Sequence, residues 1–196
     1  MTTDQVIFAG VDISSGRKPV TFAALDMDLN IFMLEKWSLV QSVSCLKDYE
    51  NILLLINSPV RKSEHNASDD FKGKILQAGF SPVSKNDPRQ WAETDTQKCF
   101  LALCENELLP RRSLEGRIQR ALILYGEGLQ IPDPMDFFEE ITRHKLMHGI
   151  LPMENLHSLK ELDALVAAYI AWIAVNRPSQ VELLPENSAL PKRVES

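Results

Sequence analysis

Two acidic residues stand where an acid is hard to accommodate. Asp12 lies between Val11 and Ile13, near the end of the mostly apolar stretch Val6 to Ser15, VIFAGVDISS. Asp is disfavoured in strands, and a buried carboxylate is costly unless it is paired, hydrogen-bonded or metal-bound. Asp163 lies far along the chain at the edge of an apolar helical stripe, beside Ala167 and Ile170. If the fold brings the two together, they cannot both stay ionised cheaply, and the arrangement favours a bound cation. Hard divalent ions such as Mg²⁺ or Mn²⁺ take oxygen ligands and keep waters for a phosphate substrate. Two such ions about 4 Å apart can activate a water and stabilise the leaving oxygen of a phosphodiester. The plainer readings are a strand-end Asp bonded to a turn and a helix carboxylate offsetting the macrodipole.

Other residues could act beside such a pair. Arg17 and Lys18 follow the first strand, and Arg61 and Lys62 follow the fourth. They suit substrate phosphates through charge-assisted hydrogen bonds, or are simply solvated loop charges. Arg111, Arg112, Arg117 and Arg120 make a basic helix start, either a nucleic-acid path or a surface paired with Glu115 and Glu127. Glu140, His144 and His148 recur every four residues, a spacing that can bind zinc, but without the His-Glu-x-x-His order of a metalloprotease. His157, six residues before Asp163, is a candidate proton carrier or a plain loop histidine. Cys45, Cys99 and Cys104 are odd in number and lack paired-ligand spacing, which suits a reduced intracellular protein without a disulfide framework.

The elements that must position the acids follow from periodicity and punctuation. In the first strand Ile7, Ala9, Val11 and Ile13 share one face, and Phe8, Gly10 and Asp12 the other. Gly10 leaves room for a close-packed neighbour. SSGRKP is a turn, and the strands Val20 to Leu25 and Ile31 to Leu39 complete an antiparallel meander. Ser42 can cap a helix to about Glu50. Ile52 to Ile56 is a strand covered on both faces, parallel to the meander through a right-handed crossover. Arg61 to Asp70 reads as a polar loop, Phe71 to Ala78 as a short helix, Arg89 to Thr94 as a fifth strand carrying Glu93, and Thr96 to Leu103 as a helix. Ser113 caps a helix to about Glu127, and Asp133-Pro134 opens one that Gly149 closes. Ser158 and Glu161 form a capping box for Leu159 to Val175, whose Ala167, Ala171 and Ala174 keep one flank thin against a sheet. The tail from Arg177 is proline-rich and irregular, with Val181 to Leu184 able to form a short edge strand.

With 196 residues, 44% hydrophobic and 24% charged, the chain suits one globular α/β domain. A net charge of −6 argues against a binder running on bulk positive charge, though not against a local basic groove. No run approaches the roughly 18 apolar residues of a membrane span. The start MTTDQVIF lacks the regions of a signal peptide, so the expected location is cytoplasmic.

Three meander strands, a crossover helix, further strands and a final helix follow the order of a ribonuclease H-like fold. The expectation is a mixed five-stranded sheet with flanking helices over residues 1–177 and an irregular tail over 178–196. In that architecture the first strand's end faces the final helix, so Asp12 and Asp163 become neighbours.

The blocks GVDISSGRKPVTFAALD, WAETDTQKCF, LEGRIQRALILYGEGLQIPDPMDFFEEITRHKLMHG and ELDALVAAYIAW span most of the chain. Together they resemble domain-of-unknown-function family 429, regarded as predicted nucleases with a ribonuclease H-like fold. The resemblance implies that Asp12, Glu93 and Asp163 are catalytic metal ligands for Mg²⁺ or Mn²⁺. By residue type alone, Glu93 is equally well a solvated strand residue. The family often carries an acid where the fourth strand ends; here the stretch reads Ile56-Asn57-Ser58-Pro59, leaving Asn57 as an auxiliary, uncharged ligand. The expected activity is a metal-dependent nuclease or phosphodiesterase acting on DNA or RNA. A catalytically silent binding module is the alternative. A third reading is an actin-like ATPase-type phosphate site, from Gly10-Val11-Asp12 and the Ser-Ser-Gly hairpin.

Overall fold

The alternation of the first strand decides how the layers stack. Strand β1, Ile7–Asp12, sends Phe8 into one apolar core and Ala9 and Val11, with Ile13 just beyond the strand, into another. A sheet buried on both faces needs helices on both faces. In the computed structural model, residues 6–13, 19–57, 65–83, 87–104, 106–149, 156–184 and 187–192 are described.

Strand β2, Val20–Leu25, pairs antiparallel with β1, and β3, Ile31–Trp37, antiparallel with β2. Helix α1, Leu39–Leu46, leads to β4, Ile52–Asn57, parallel to β1. Helix α2, His65–Gln77, and the two-residue β5, Ser81–Pro82, precede β6, Arg89–Thr94, parallel to β4. Four helices follow: α3, Thr96–Leu103; α4, Leu114–Gly126; α5, Asp136–His148; and α6, Leu159–Asn176. A 3-10 turn, Pro178–Gln180, leads to β7, Val181–Leu184, and β8, Ser188–Pro191. The strand order is β3-β2-β1-β4-β6-β8-β7, with β5 beside β6. Helices α1 and α2 cover one face through Val43, Leu46, Phe71 and Ile75, while α3 to α6 cover the other. Among the described residues no helix is long and apolar enough to cross a membrane.

Among the described residues the sheet has eight strands, not five. The stretch expected to be an irregular tail supplies two of them, β7 and β8, paired antiparallel. Asn187 explains the attachment. It has a positive φ of 56°, its side chain donates to the Trp91 carbonyl, and it accepts from the Val83 amide. These bonds reach back about a hundred residues and leave no local sequence mark.

Helix starts also differ. Ser38 and Gln41 form a capping box, so α1 begins before Ser42, whose hydroxyl instead donates to the Ser38 carbonyl at 2.9 Å. Helix α2 begins at His65, inside the stretch expected to be a loop; the pairs Lys72–Asp69 and Lys74–Asp70 sit at helical spacing along it. Asp133 accepts from the Met135 amide at 2.8 Å and caps a turn, leaving α5 to start at Asp136.

Helix α6 lies directly across β1. A Cβ at Gly10 would sit 2.0 Å from the Ala164 carbonyl oxygen and 2.5 Å from the Ala168 nitrogen. Helix and strand backbones therefore touch, with only small residues between them. Beyond its own helix backbone and chain neighbours, Gly73 in α2 has no described atom within 4 Å of where its Cβ would be. Gly10→Ala is expected to lose about 3 kcal/mol of stability through overpacking. Gly73→Ala is expected to gain roughly 0.5–1 kcal/mol from helix propensity. Thermal unfolding of both variants checks the contrast; a neutral Gly10→Ala would contradict the contact.

Candidate functional site

The open end of the sheet carries a row of polar residues on the α6 face. In register across five strands stand Lys36, Thr21, Asp12, Asn57 and Thr94. One step inward on the same face stand Leu34, Ala23, Gly10, Leu55 and Ala92. Polarity thus switches within a single row. Strand alternation places the row, and the first two turns of α6 cover it.

Asp12 and Asp163 are both buried, 0% and 2% exposed, and each is hydrogen-bonded. Asn57 Nδ2 donates to Asp12 Oδ1 at 2.7 Å. Thr96 Oγ1 donates to Asp163 Oδ1 at 3.0 Å, and Arg111 Nη2 donates to Asp163 Oδ2. The Thr96 amide reaches Asn57 Oδ1 at 3.5 Å, joining the two halves loosely. Burial pushes the Asp163 carboxyl up to about 6; Arg111 opposes the rise and the charge of Asp12 adds to it. The two acids are electrostatically coupled, as their convergence requires.

Thr21 stands beside Asp12 in register and is fully buried, yet its hydroxyl has no hydrogen-bond partner among the described residues. An unmet buried hydroxyl is costly and points to a polar ligand at that position. Two carboxylates and the Thr21 hydroxyl offer oxygen donors of the kind a hard divalent cation takes, while Asn57 turns its Nδ2 to Asp12 and its Oδ1 to the Thr96 amide. Among the described residues no group of three or more His, Cys, Asp or Glu side chains is arranged to hold a metal.

Glu93 stands on the opposite face of the sheet. It shares a strand face with Trp91, which packs into the α1–α2 core, whereas Ala92 packs into the α6 core. The sheet itself therefore separates Glu93 from Asp12 and Asp163. Glu93 pairs with Lys72 of α2 instead. The expected trio of acids is a pair, with Asn57 between its strand neighbours Asp12 and Thr94.

Two residues of the cluster carry weak sequence signals. Thr96 follows Asp95, which caps α3 by accepting from the Gln97 and Lys98 amides at 3.1 and 3.2 Å. A Thr next to a cap at a strand's end is the available hint. Arg111 reads in the sequence as one of a basic run, but that run is not a continuous nucleic-acid face. Arg120 is buried, bonded to the Gly116 and Leu109 carbonyls, and lies over the Phe100 ring. Arg117 donates to the Leu156 and His157 carbonyls, and Arg112 is exposed.

His157 lines a separate cavity of about 530 Å³ with Asp133, Asp136, Phe137 and Glu161. Burial lowers its pKa, and the charges it feels are those of Glu161 and Arg117. His148 is exposed, while the side chains of Glu140 and His144 lie outside the described residues, as do Arg17, Lys18, Arg61 and Lys62. All three cysteines are free; Cys99 is buried against Thr94, and burial pushes its thiol up to about 12.

No protein-family model matches the chain, and no curated protein is significantly similar to it.

The raised pKa of Asp163 has a stability consequence. The folded state holds the proton more tightly, so the contribution of this group to stability is fully present below 3.8 and is lost as pH rises to about 6. Asp163→Asn removes that penalty. Its stability relative to the parent is expected to rise by up to about 2–3 kcal/mol between pH 4 and pH 7.5. Denaturant unfolding at the two pH values checks this; a difference independent of pH would contradict it.

Proposed function

We propose that the chain is a divalent-metal-dependent phosphodiesterase acting on nucleic acid, built on a ribonuclease H-like fold. The observation that carries the reading is the buried, coupled pair Asp12 and Asp163, with the unmet Thr21 hydroxyl beside it. The antiparallel β3-β2-β1 meander continued by parallel β4 and β6, with a long helix over β1, supports the fold assignment. So does the resemblance to domain-of-unknown-function family 429: its GVDISSG block spans the end of β1, its ELDALVAAYIAW block lies in α6, and the two blocks touch at Gly10.

Asp12 and Asp163 would hold Mg²⁺ or Mn²⁺, with Thr21 as a neutral oxygen donor and Asn57 as an auxiliary ligand that would have to turn its amide oxygen to the ion. A bound ion supplies Lewis acidity, lowering the pKa of water and stabilising a leaving oxygen. The protein's share is positioning. Asn57 orients Asp12, Thr96 orients Asp163, and α6 seals the apolar row behind them from water. Arg17, Lys18, Arg61 and Lys62 follow Ile13 and Asn57 closely in sequence and remain the candidates for substrate phosphates. Glu93 has no part in this centre.

A catalytically silent binding module is the second reading. Arg111 and the Asn57 amide already compensate both carboxylates, which favours it.

Cleavage assays on single- and double-stranded DNA and RNA with Mg²⁺ or Mn²⁺ decide between the two. The parent is expected to cleave, Asp12→Asn to lose about a hundredfold or more, and Glu93→Gln to stay within about threefold. Equal loss in Glu93→Gln would return that residue to the centre. No cleavage with any substrate, together with no cation binding, would favour the silent module.

A further inference from the structure

We propose that Arg111 is the site's resident counter-ion, which a divalent cation must displace from Asp163 and which then docks a substrate phosphate. This rests on the metal-dependent reading above. Three observations carry it.

First, the two ends of the contact differ in exposure. Asp163 is 2% exposed, whereas the Arg111 side chain is 43% exposed. The guanidinium closes the site from the solvent side and can leave without crossing the core. Second, Asp163 has one donor on each oxygen: Thr96 on Oδ1 and Arg111 on Oδ2. Thr96 is itself buried and belongs to α3. A cation reaching this carboxylate from solvent therefore competes with Arg111. Third, the loop that carries Arg111 is tied down. Gln119 accepts from the Leu109 amide at 2.7 Å and donates to the Glu107 carbonyl at 2.9 Å. Ser113 donates to the Pro110 carbonyl at 2.9 Å, and a Cβ at Gly116 would lie 2.1 Å from that oxygen. A fixed backbone with a half-exposed side chain keeps the guanidinium at the mouth of the site after it leaves Asp163. Its fork of donors matches a phosphate as well as a carboxylate.

Calorimetric titration at pH 8 compares the parent, Arg111→Gln and Arg112→Gln, first with Mn²⁺ and then with inorganic phosphate at saturating Mn²⁺. Arg112 is the exposed neighbour, and its variant changes net charge equally without touching Asp163. Arg111→Gln is expected to bind Mn²⁺ roughly tenfold more tightly than either other protein and to bind phosphate roughly tenfold more weakly. Equal Mn²⁺ affinity in Arg111→Gln and Arg112→Gln would overturn the counter-ion role, because bulk charge alone would then explain any change. Tighter Mn²⁺ with unweakened phosphate binding would overturn the docking role. If none of the three proteins binds Mn²⁺, the metal-dependent reading fails, and this inference with it.

Discussion

The contact between Gly10 and the backbone of α6 is the constraint from which the site follows. Any side chain at that position would lift the helix off β1. With the helix seated, its second turn stands over the end of the strand, and Asp163 is held above the polar row that contains Asp12. Two carboxylates then share a space from which water is largely excluded. The capping box at Ser158 and Glu161 fixes where the helix starts, and the Lys36–Glu161 ion pair at 3.0 Å ties that start to β3. Register along the sheet and phase around the helix therefore become one quantity. A slip of one residue in either would move an acid out of the cluster.

Charge compensation explains the remaining residues. Loss of hydration, with the charge of Asp12 adding to it and Arg111 opposing it, disfavours ionisation of Asp163, which shows the net effect in its raised pKa. Asn57 and Thr96 contribute dipoles, and Arg111 contributes a full charge from the solvent side. Thr21 contributes nothing among the described residues and stands unsatisfied. A cluster in which Asp163 bonds a half-exposed guanidinium, with an idle hydroxyl at hand, suits a ligand richer in positive charge. Glu93 clarifies the design by contrast: a half-turn of strand alternation sends it through the sheet to Lys72, where it serves packing between β6 and α2.

Much of the frame was legible in the residues. The strands over Val20–Leu25 and Arg89–Thr94 and the helix over Thr96–Leu103 have the expected bounds, because strong punctuation flanks each. Gly10 as a site of close approach and Ser158–Glu161 as a helix start were also readable, since residue type and spacing mark them: a glycine inside an apolar strand, and a Ser-x-x-Glu box before an apolar stripe. What was not legible depends on distant partners. Strands β5 and β8 are too short for periodicity to register and exist through pairing with β6 and β7. The side of the sheet that Glu93 occupies requires its register against β4, which no local pattern contains. Thr96 and Arg111 enter the cluster through hydrogen bonds to Asp163 spanning 67 and 52 positions.

The most direct test of the convergence of Asp12 and Asp163 on a shared cation is an anomalous-difference map from crystals soaked in Mn²⁺. A peak is expected between the two carboxylates, with the Arg111 guanidinium moved away from Asp163. Full Mn²⁺ loading elsewhere, or no peak at all with Arg111 still bonded to Asp163, would contradict it.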